Sequence, residues 1–284
     1  DTALDITQNH SSGDSFPVGS TTVTYTATDD YSNAETCSFD VIVEDDEAPI
    51  ISGCPTVINA VTDPNSAYAV VTFSLTASDT VDGDVNVVKV SGLDSGSQFG
   101  VGQTTQKFKA SDSVPNTAVC EFVVIVTDNQ DPVLEDCPSA VSVNSGNSNT
   151  AIVSWDAPTA TDNDGVNRIE STHTSGSAFT VGITEVTYTA YDESGRTDTC
   201  TFAITVTDNF APVFVGCPTN GQSVGTDTGK EYATVTWSVP SVSDNVGIVG
   251  DVTSNKVPGD QFPIGSTTVT YEASDDAGNT GTCE

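Results

Sequence analysis

The stretch Ser15–Pro55, "SFPVGSTTVTYTATDDYSNAETCSFDVIVEDDEAPIISGCP", decides the fold because the chain writes it again. Gln261–Glu284, "QFPIGSTTVTYEASDDAGNTGTCE", repeats its first half almost letter for letter. The tags "FPVG", "FGVG", "FTVG" and "FPIG" begin at Phe16, Phe99, Phe179 and Phe262. Cys37, Cys120, Cys200 and Cys283 stand 83, 80 and 83 residues apart. Cys54, Cys137 and Cys217, each followed by proline, stand 83 and 80 apart. Such a period is too long for a solenoid repeat and suits a small domain. The chain therefore reads as a tandem array: the second half of a unit over 1–43, units over 44–127 and 128–207, and a unit over 208–284 cut short in its last strand. Both partial units are expected to belong to a longer array, with the partner of Cys37 ahead of residue 1.

Each unit is strand after strand. "ATVTWSV" sets Ala233, Val235 and Trp237 against Thr234, Thr236 and Ser238. "CTFAITV" puts Phe202, Ile204 and Val206 on one face. Period-2 alternation with turn residues between runs, and no amphipathic helix, predicts an antiparallel sandwich. About seven short strands in each unit make it all-β and immunoglobulin-like, with the units following one another as beads on a rod. Trp155, Trp237 and Phe73 share one position on the second strand. They are expected in the core, the alternative being a sugar-binding platform.

The chain carries 40 acidic and 7 basic residues, a formal charge of −33. Such a surface excludes nucleic acid as a partner and disfavours anionic lipid heads. No apolar run is long enough to span a bilayer. Seven cysteines without a C-x-x-C pair, and two histidines, argue against zinc ribbons and redox dithiols. Long regular spacing points to one structural disulfide per unit in an oxidising, extracellular compartment. Cys200 and Cys217 are close in sequence. The joint between them, however, lies roughly 25 Å along the strand from Cys200, and the Cα atoms of a disulfide must come within about 7 Å. The first and last strands of one sandwich run side by side and parallel. The expected pairs are thus Cys54–Cys120, Cys137–Cys200 and Cys217–Cys283, with Cys37 unpaired in this window.

The recurring D-x-x-A-P, C-P, V-x-W, D-N, F-x-x-G-x-T-x-V-x-Y-x-A-x-D-x-x-G-N and C-x-F-x-V-x-V resemble the hyalin repeat, over the whole chain. Departures are local: Phe73 stands for Trp, "DSVPN" at Asp112 lacks Gly-Asn, and Asp131 stands where other units have Ala. The resemblance implies an extracellular structural role in matrix, coat or adhesion, and its name-giver forms a calcium-dependent layer. Partners are then neighbouring copies, other matrix or surface proteins, or glycans. The alternative is a carbohydrate- or receptor-binding adhesin stalk. Catalysis is not expected, since neither His10 nor His173 has a neighbourhood that recurs between units.

The carboxylates gather in three places per unit. One is the joint: Glu44, Asp45 and Asp46; Asp128, Asn129 and Asp131; Asp208 and Asn209. The second is the loop after the second strand: Asp79, Asp82 and Asp84; Asp162, Asn163 and Asp164; Asp244 and Asn245. The third is the last hairpin: Asp29 and Asp30; Asp112; Asp192 and Glu193; Asp275 and Asp276. Strand parity puts all three at the end where the chain enters a unit. Ca²⁺ takes six to eight oxygens from such groups, so calcium is the expected cofactor. Asp and Asn are also ordinary turn residues that bond local backbone, and the spacing is not that of an EF-hand loop. "NHS" makes Asn9 the one glycosylation sequon.

Overall fold

A computed structural model describes residues 4–284. It is all-β and divides into two compact units, Asp1–Gln130 and Asp131–Glu284. The first unit holds the half repeat and repeat 44–127. The second holds repeat 128–207 from Asp131 onward, and repeat 208–284.

In the half repeat, Asp5–Gln8, Gly19–Thr28 and Ala34–Val43 form a three-stranded antiparallel sheet. In repeat 44–127 the long hairpin Gly102–Ser111 and Thr117–Thr127 is the centre of a four-stranded sheet. Val57–Val61 flanks it in parallel, with Val57 opposite Val123 and Val61 opposite Thr127. Val87–Ser91 closes the other edge. The facing layer is made of Ile50–Ser52, Thr76–Asp79 and Gly83–Val85, with the pair Tyr68–Val71 and Ser97–Gly100 beside it. The sandwich is as expected, but its strands are nine short segments rather than seven. The runs break where the chain passes from one layer to the other. Gly53 marks one break: its φ is +79°, and a Cβ there would sit 2.5 Å from the Ser74 carbonyl oxygen, so only glycine fits.

Repeat 128–207 follows the same plan. Val141–Asn144 lies parallel to Thr197–Thr207, which pairs with Gly182–Asp192, which pairs with Val166–Ser171. In repeat 208–284, Ile248–Ser254, Tyr271–Asp275 and Thr280–Cys283 form the equivalent sheet. In repeats 44–127 and 128–207 the parallel pairing of an early strand with the last one brings the cysteines together. Cys54–Cys120, Cys137–Cys200 and Cys217–Cys283 are bonded, closing separations of 66, 63 and 66 residues. Cys37 is a free, exposed thiol.

The alternating apolar residues fill the sandwich. Phe99, Phe122, Val124 and Val126 are buried in repeat 44–127, and Phe179, Val186, Ile204 and Val206 in repeat 128–207. Trp155 is half-buried against Phe179 and edge-on to Phe202, and its indole N–H donates to Tyr188 Oη at 2.7 Å. Trp237 donates likewise to Tyr271 Oη at 2.8 Å. Where Phe73 replaces tryptophan, Phe108 replaces the tyrosine, and the rings pack edge to face at 5.6 Å. Donor and acceptor are lost together, which a half-buried polar pair requires.

Candidate metal centres at the domain joints

Each joint has an aspartate just past the strand that leads into it, Asp45 two residues after Ala34–Val43 and Asp208 directly after Thr197–Thr207. Asp45 is 8% exposed and Asp208 is 8% exposed, although both lie in connecting segments. Each uses one oxygen on the local turn. Asp45 Oδ1 accepts from the Glu47 amide at 3.2 Å, and Asp208 Oδ1 accepts from the Phe210 amide at 3.1 Å. The loop after the second strand does the same. Asp79 Oδ1 accepts from the Val81 and Asp82 amides at 2.8 and 3.1 Å. Asp244 Oδ1 accepts from the Val246 and Gly247 amides at 2.9 and 3.0 Å. In the last hairpin, Asp112 Oδ1 accepts from the Val114 and Asn116 amides, and Asp275 Oδ1 from the Asn279 amide.

Turn chemistry thus accounts for one oxygen of each of these carboxylates and leaves the other, except at Asp275, whose Oδ2 accepts from Asn279 Nδ2 at 2.8 Å. Asp45 Oδ2, Asp79 Oδ2 and Asp112 Oδ2 are buried without a partner in the first unit. Asp208 Oδ2 and Asp244 Oδ2 are so in the second. Asp45, Asp79 and Asp82 each bring a carboxylate oxygen within 4.8 Å of the others, as do Asp208, Asp244 and Asp275. A buried carboxylate oxygen without a donor is costly, and several side by side repel. Burial, with the charges of Asp79, Asp112 and Asp82 around it, holds the Asp45 carboxyl above the usual carboxylate range. Asp275 goes the other way. Burial opposes its charge, but the Asn279 side chain and the Asn279, Gly278 and Ala277 amides outweigh that and hold it below the usual range.

The donors are oxygens alone, with no histidine or cysteine in either group. That set suits a hard cation such as Ca²⁺ or Mg²⁺ and not a thiophilic or imidazole-seeking metal. The residues fit calcium: Asp45, Asp79, Asp82 and Asp112 would hold it at one joint, and Asp208, Asp244 and Asp275 at the other.

The other expected ligands lie outside these two groups. Asp46, Asp84, Asn209 and Asp276 are exposed and outside both groups. Within the first unit, Asp128 accepts from Thr62 Oγ1 at 2.9 Å and Asn129 from the same hydroxyl at 3.3 Å. Within the second, Asp162 accepts from the Asp164 and Gly165 amides, and Asp192 from the Arg196 amide. Asp131 is bound to Arg196 Nε at 2.7 Å. Asn9 sits on an exposed strand end with its amide used at both ends, donating to the Thr22 carbonyl and accepting from the Thr24 amide.

One set of joint residues escaped the sequence reading. Asn116 Nδ2 donates to the Asp45 carbonyl at 3.2 Å, and Asn279 Nδ2 to the Asp208 carbonyl at 3.3 Å. They tie the last hairpin to the incoming chain. Their signal was present as the Asn of "DAGN", which recurs as Asn33, Asn116 and Asn279. Repeat 128–207 has Arg196 there, and it is also the repeat with Asp131 in place of alanine. The two departures are one exchange, an ion pair for an amide clasp.

The HYR domain family matches the chain four times, over residues 1–43, 44–126, 127–206 and 207–284. The chain belongs to the HYR family. It is 37% identical over 285 residues to hyalin of Strongylocentrotus purpuratus, a match covering 97% of this chain and 24% of that protein. It is 32% identical to hyalin of Lytechinus variegatus, covering 98% of this chain and 54% of that protein. The chain therefore spans about a quarter and about half of these relatives' lengths. Among solved structures, a protocadherin gammaB7 EC3-6 cis-dimer aligns over 94% of the chain at 14% identity with a TM-score of 0.34, too slight to carry any argument. No helix among the described residues is long and apolar enough to cross a membrane. As an HYR chain with three disulfides, the protein is an extracellular repeat protein.

Proposed function

We propose that this HYR array is a structural element of an extracellular matrix, coat or adhesive surface, and that calcium bound at its acidic joints stiffens it into a rod or fibre. The observation that carries this is the set of buried, unpartnered Oδ2 atoms of Asp45, Asp79, Asp208 and Asp244. Without a cation these oxygens are desolvated and mutually repelling. With one, each joint aspartate is tied to loops of the following repeat, and relative motion of neighbours is restrained. The clasps from Asn116 and Asn279 set the loops in place beforehand. Extracellular calcium is millimolar, and extracellular modules bind it at about 10⁻⁴–10⁻³ M, so the sites would be filled outside the cell. The partners are neighbouring copies or other matrix and surface proteins. The sugar-platform alternative finds little support, because Trp155 and Trp237 spend their N–H groups on Tyr188 and Tyr271.

The test is small-angle scattering and thermal melting of the full chain in millimolar calcium and in chelator. Calcium should give a longer, stiffer particle and a higher melting temperature. Stabilisation should grow with the logarithm of calcium above Kd. Identical profiles and melting temperatures in the two conditions would sink the proposal.

A further inference from the structure

We infer that the two joints are graded: the Asp45 joint takes a hard divalent cation at a lower concentration than the Asp208 joint. This rests on the cation reading above and adds an order of filling to it. At the Asp45 joint, Asp45, Asp79 and Asp82 already bring carboxylate oxygens together. Asp112 adds a fourth carboxylate with a buried, unpartnered oxygen. At the Asp208 joint the group has three carboxylates. Gly247 stands where Asp82 does. Each donates its amide to the aspartate three residues earlier, at 3.1 Å for Asp82 and 3.0 Å for Gly247, but Gly247 brings no side chain.

The free charge differs further. The last-hairpin aspartate of the Asp208 joint, Asp275, has Oδ1 bound by the Asn279 amide and Oδ2 by Asn279 Nδ2 at 2.8 Å. Its counterpart Asp112 keeps Oδ2 free. Asn245 Nδ2 donates to Asp208 Oδ1 at 3.1 Å, drawing off part of that charge as well. The same amide reaches the Ser148 carbonyl of the preceding repeat at 2.9 Å. The Asp208 joint therefore has a clasp that needs no cation. Asp82 is likewise bound at both oxygens, by the Ser113 amide at 2.7 Å and hydroxyl at 3.0 Å, so the unpartnered carboxylate oxygens are those of Asp45, Asp79 and Asp112 at this joint against Asp208 and Asp244 at the other. Cation affinity in oxygen sites rises with the number of charged ligands, and the Asp45 joint is ahead on that count.

Amide resonances resolve the joints in the intact, isotope-labelled chain. Calcium chloride is titrated into chelator-treated protein. The Val81 and Asp82 amides report one joint, and the Val246 and Gly247 amides report the other. The midpoint at Asp82 should lie on the order of tenfold below that at Gly247. Asp82→Asn keeps an oxygen for Ser113 and removes the charge. It should raise the first midpoint to near the second and leave Gly247 unchanged. Ser113→Ala keeps the charge and the amide bond and removes only the hydrogen bond from the hydroxyl, so it should shift the midpoint much less. Equal or reversed midpoints would overturn the grading alone, as would an Asp82→Asn midpoint unchanged from wild type. Saturable shifts at neither pair of amides would overturn both the grading and the calcium reading beneath it.

Discussion

At the residue scale, one position shows how the repeats solve the same local problem with different side chains. Asn9 and Asn255 each bridge to the neighbouring strand, accepting from the Thr24 and Thr270 amides at 2.8 and 2.9 Å. Thr172 accepts from the Thr187 amide at 3.0 Å. Repeat 44–127 has Gly92 instead, and Gln106 fills the space from the facing strand, where the other repeats have valine. Gln106 is fully buried, and its Oε1 accepts from the Leu93 amide at 2.7 Å. A Cβ on Gly92, whose φ is +94°, would fall 2.3 Å from that oxygen. Gly92→Asn alone should therefore destabilise the repeat by about 1–3 kcal/mol. Gln106→Val alone strands the Leu93 amide. The double variant removes the clash and supplies a side-chain acceptor again, so it should recover part of the loss in denaturant titrations, the strain of a side chain at φ +94° remaining. Simple additivity would refute the coupling. The joint aspartates give a second prediction. Asp45 has its pKa raised by burial and like charge, so its contribution to stability is present in acid and lost as pH rises through its folded-state pKa. Asp45→Asn should accordingly raise the melting temperature in chelator at neutral pH and lower it in millimolar calcium. A change of the same sign in both conditions would contradict the role assigned to Asp45.

At the element scale, long hairpins set the frame and short segments set the joints. Thr117–Thr127 and Thr197–Thr207 were legible because strict alternation over many residues has one physical reading. The breaks at the layer changes were not, because they depend on close backbone approaches such as Gly53 to Ser74. The paired exchange of Trp155–Tyr188 for Phe73–Phe108 was half legible. The tryptophan stood out, but its acceptor lies 33 residues away. Tyr188→Phe should cost about 1–3 kcal/mol by stranding the indole N–H. Adding Trp155→Phe should cost less than the sum of the singles, since the pair then copies repeat 44–127. Urea midpoints of the four chains measure this, and zero coupling energy would remove the hydrogen bond from the account.

At the scale of the whole molecule, a charge of −33 acts on every element at once. Self-repulsion opposes the compact state, and ions screen it over about 8 Å at physiological ionic strength. In chelator, sodium chloride should raise the melting temperature. In saturating calcium the same salt should do much less, because the densest charge is already neutralised. Equal salt slopes in both conditions would show that the repulsion is spread over the surface and not concentrated at the joints. The disulfides act on the unfolded chain instead. Each closes more than sixty residues and contributes a few kcal/mol in the chain-entropy model, so reduction should lower the melting temperature with or without calcium.

The sequence by itself determined the array, the all-β class, the disulfide pairs and the places where carboxylates gather. Repetition, period-2 alternation and strand parity are local or one-dimensional properties, and a chain displays them before it folds. Tertiary structure alone decided which carboxylates meet. Asp79 and Asp82 join Asp45 while Asp46 and Asp84, their near neighbours, stand outside the group, because side-chain direction at a turn follows from backbone torsions that composition does not encode. It also decided that Asp131 answers Arg196, and that Asn116 and Asn279 bind the joint carbonyls. Each of those contacts links residues more than sixty positions apart, and only packing of the sandwich brings them within reach.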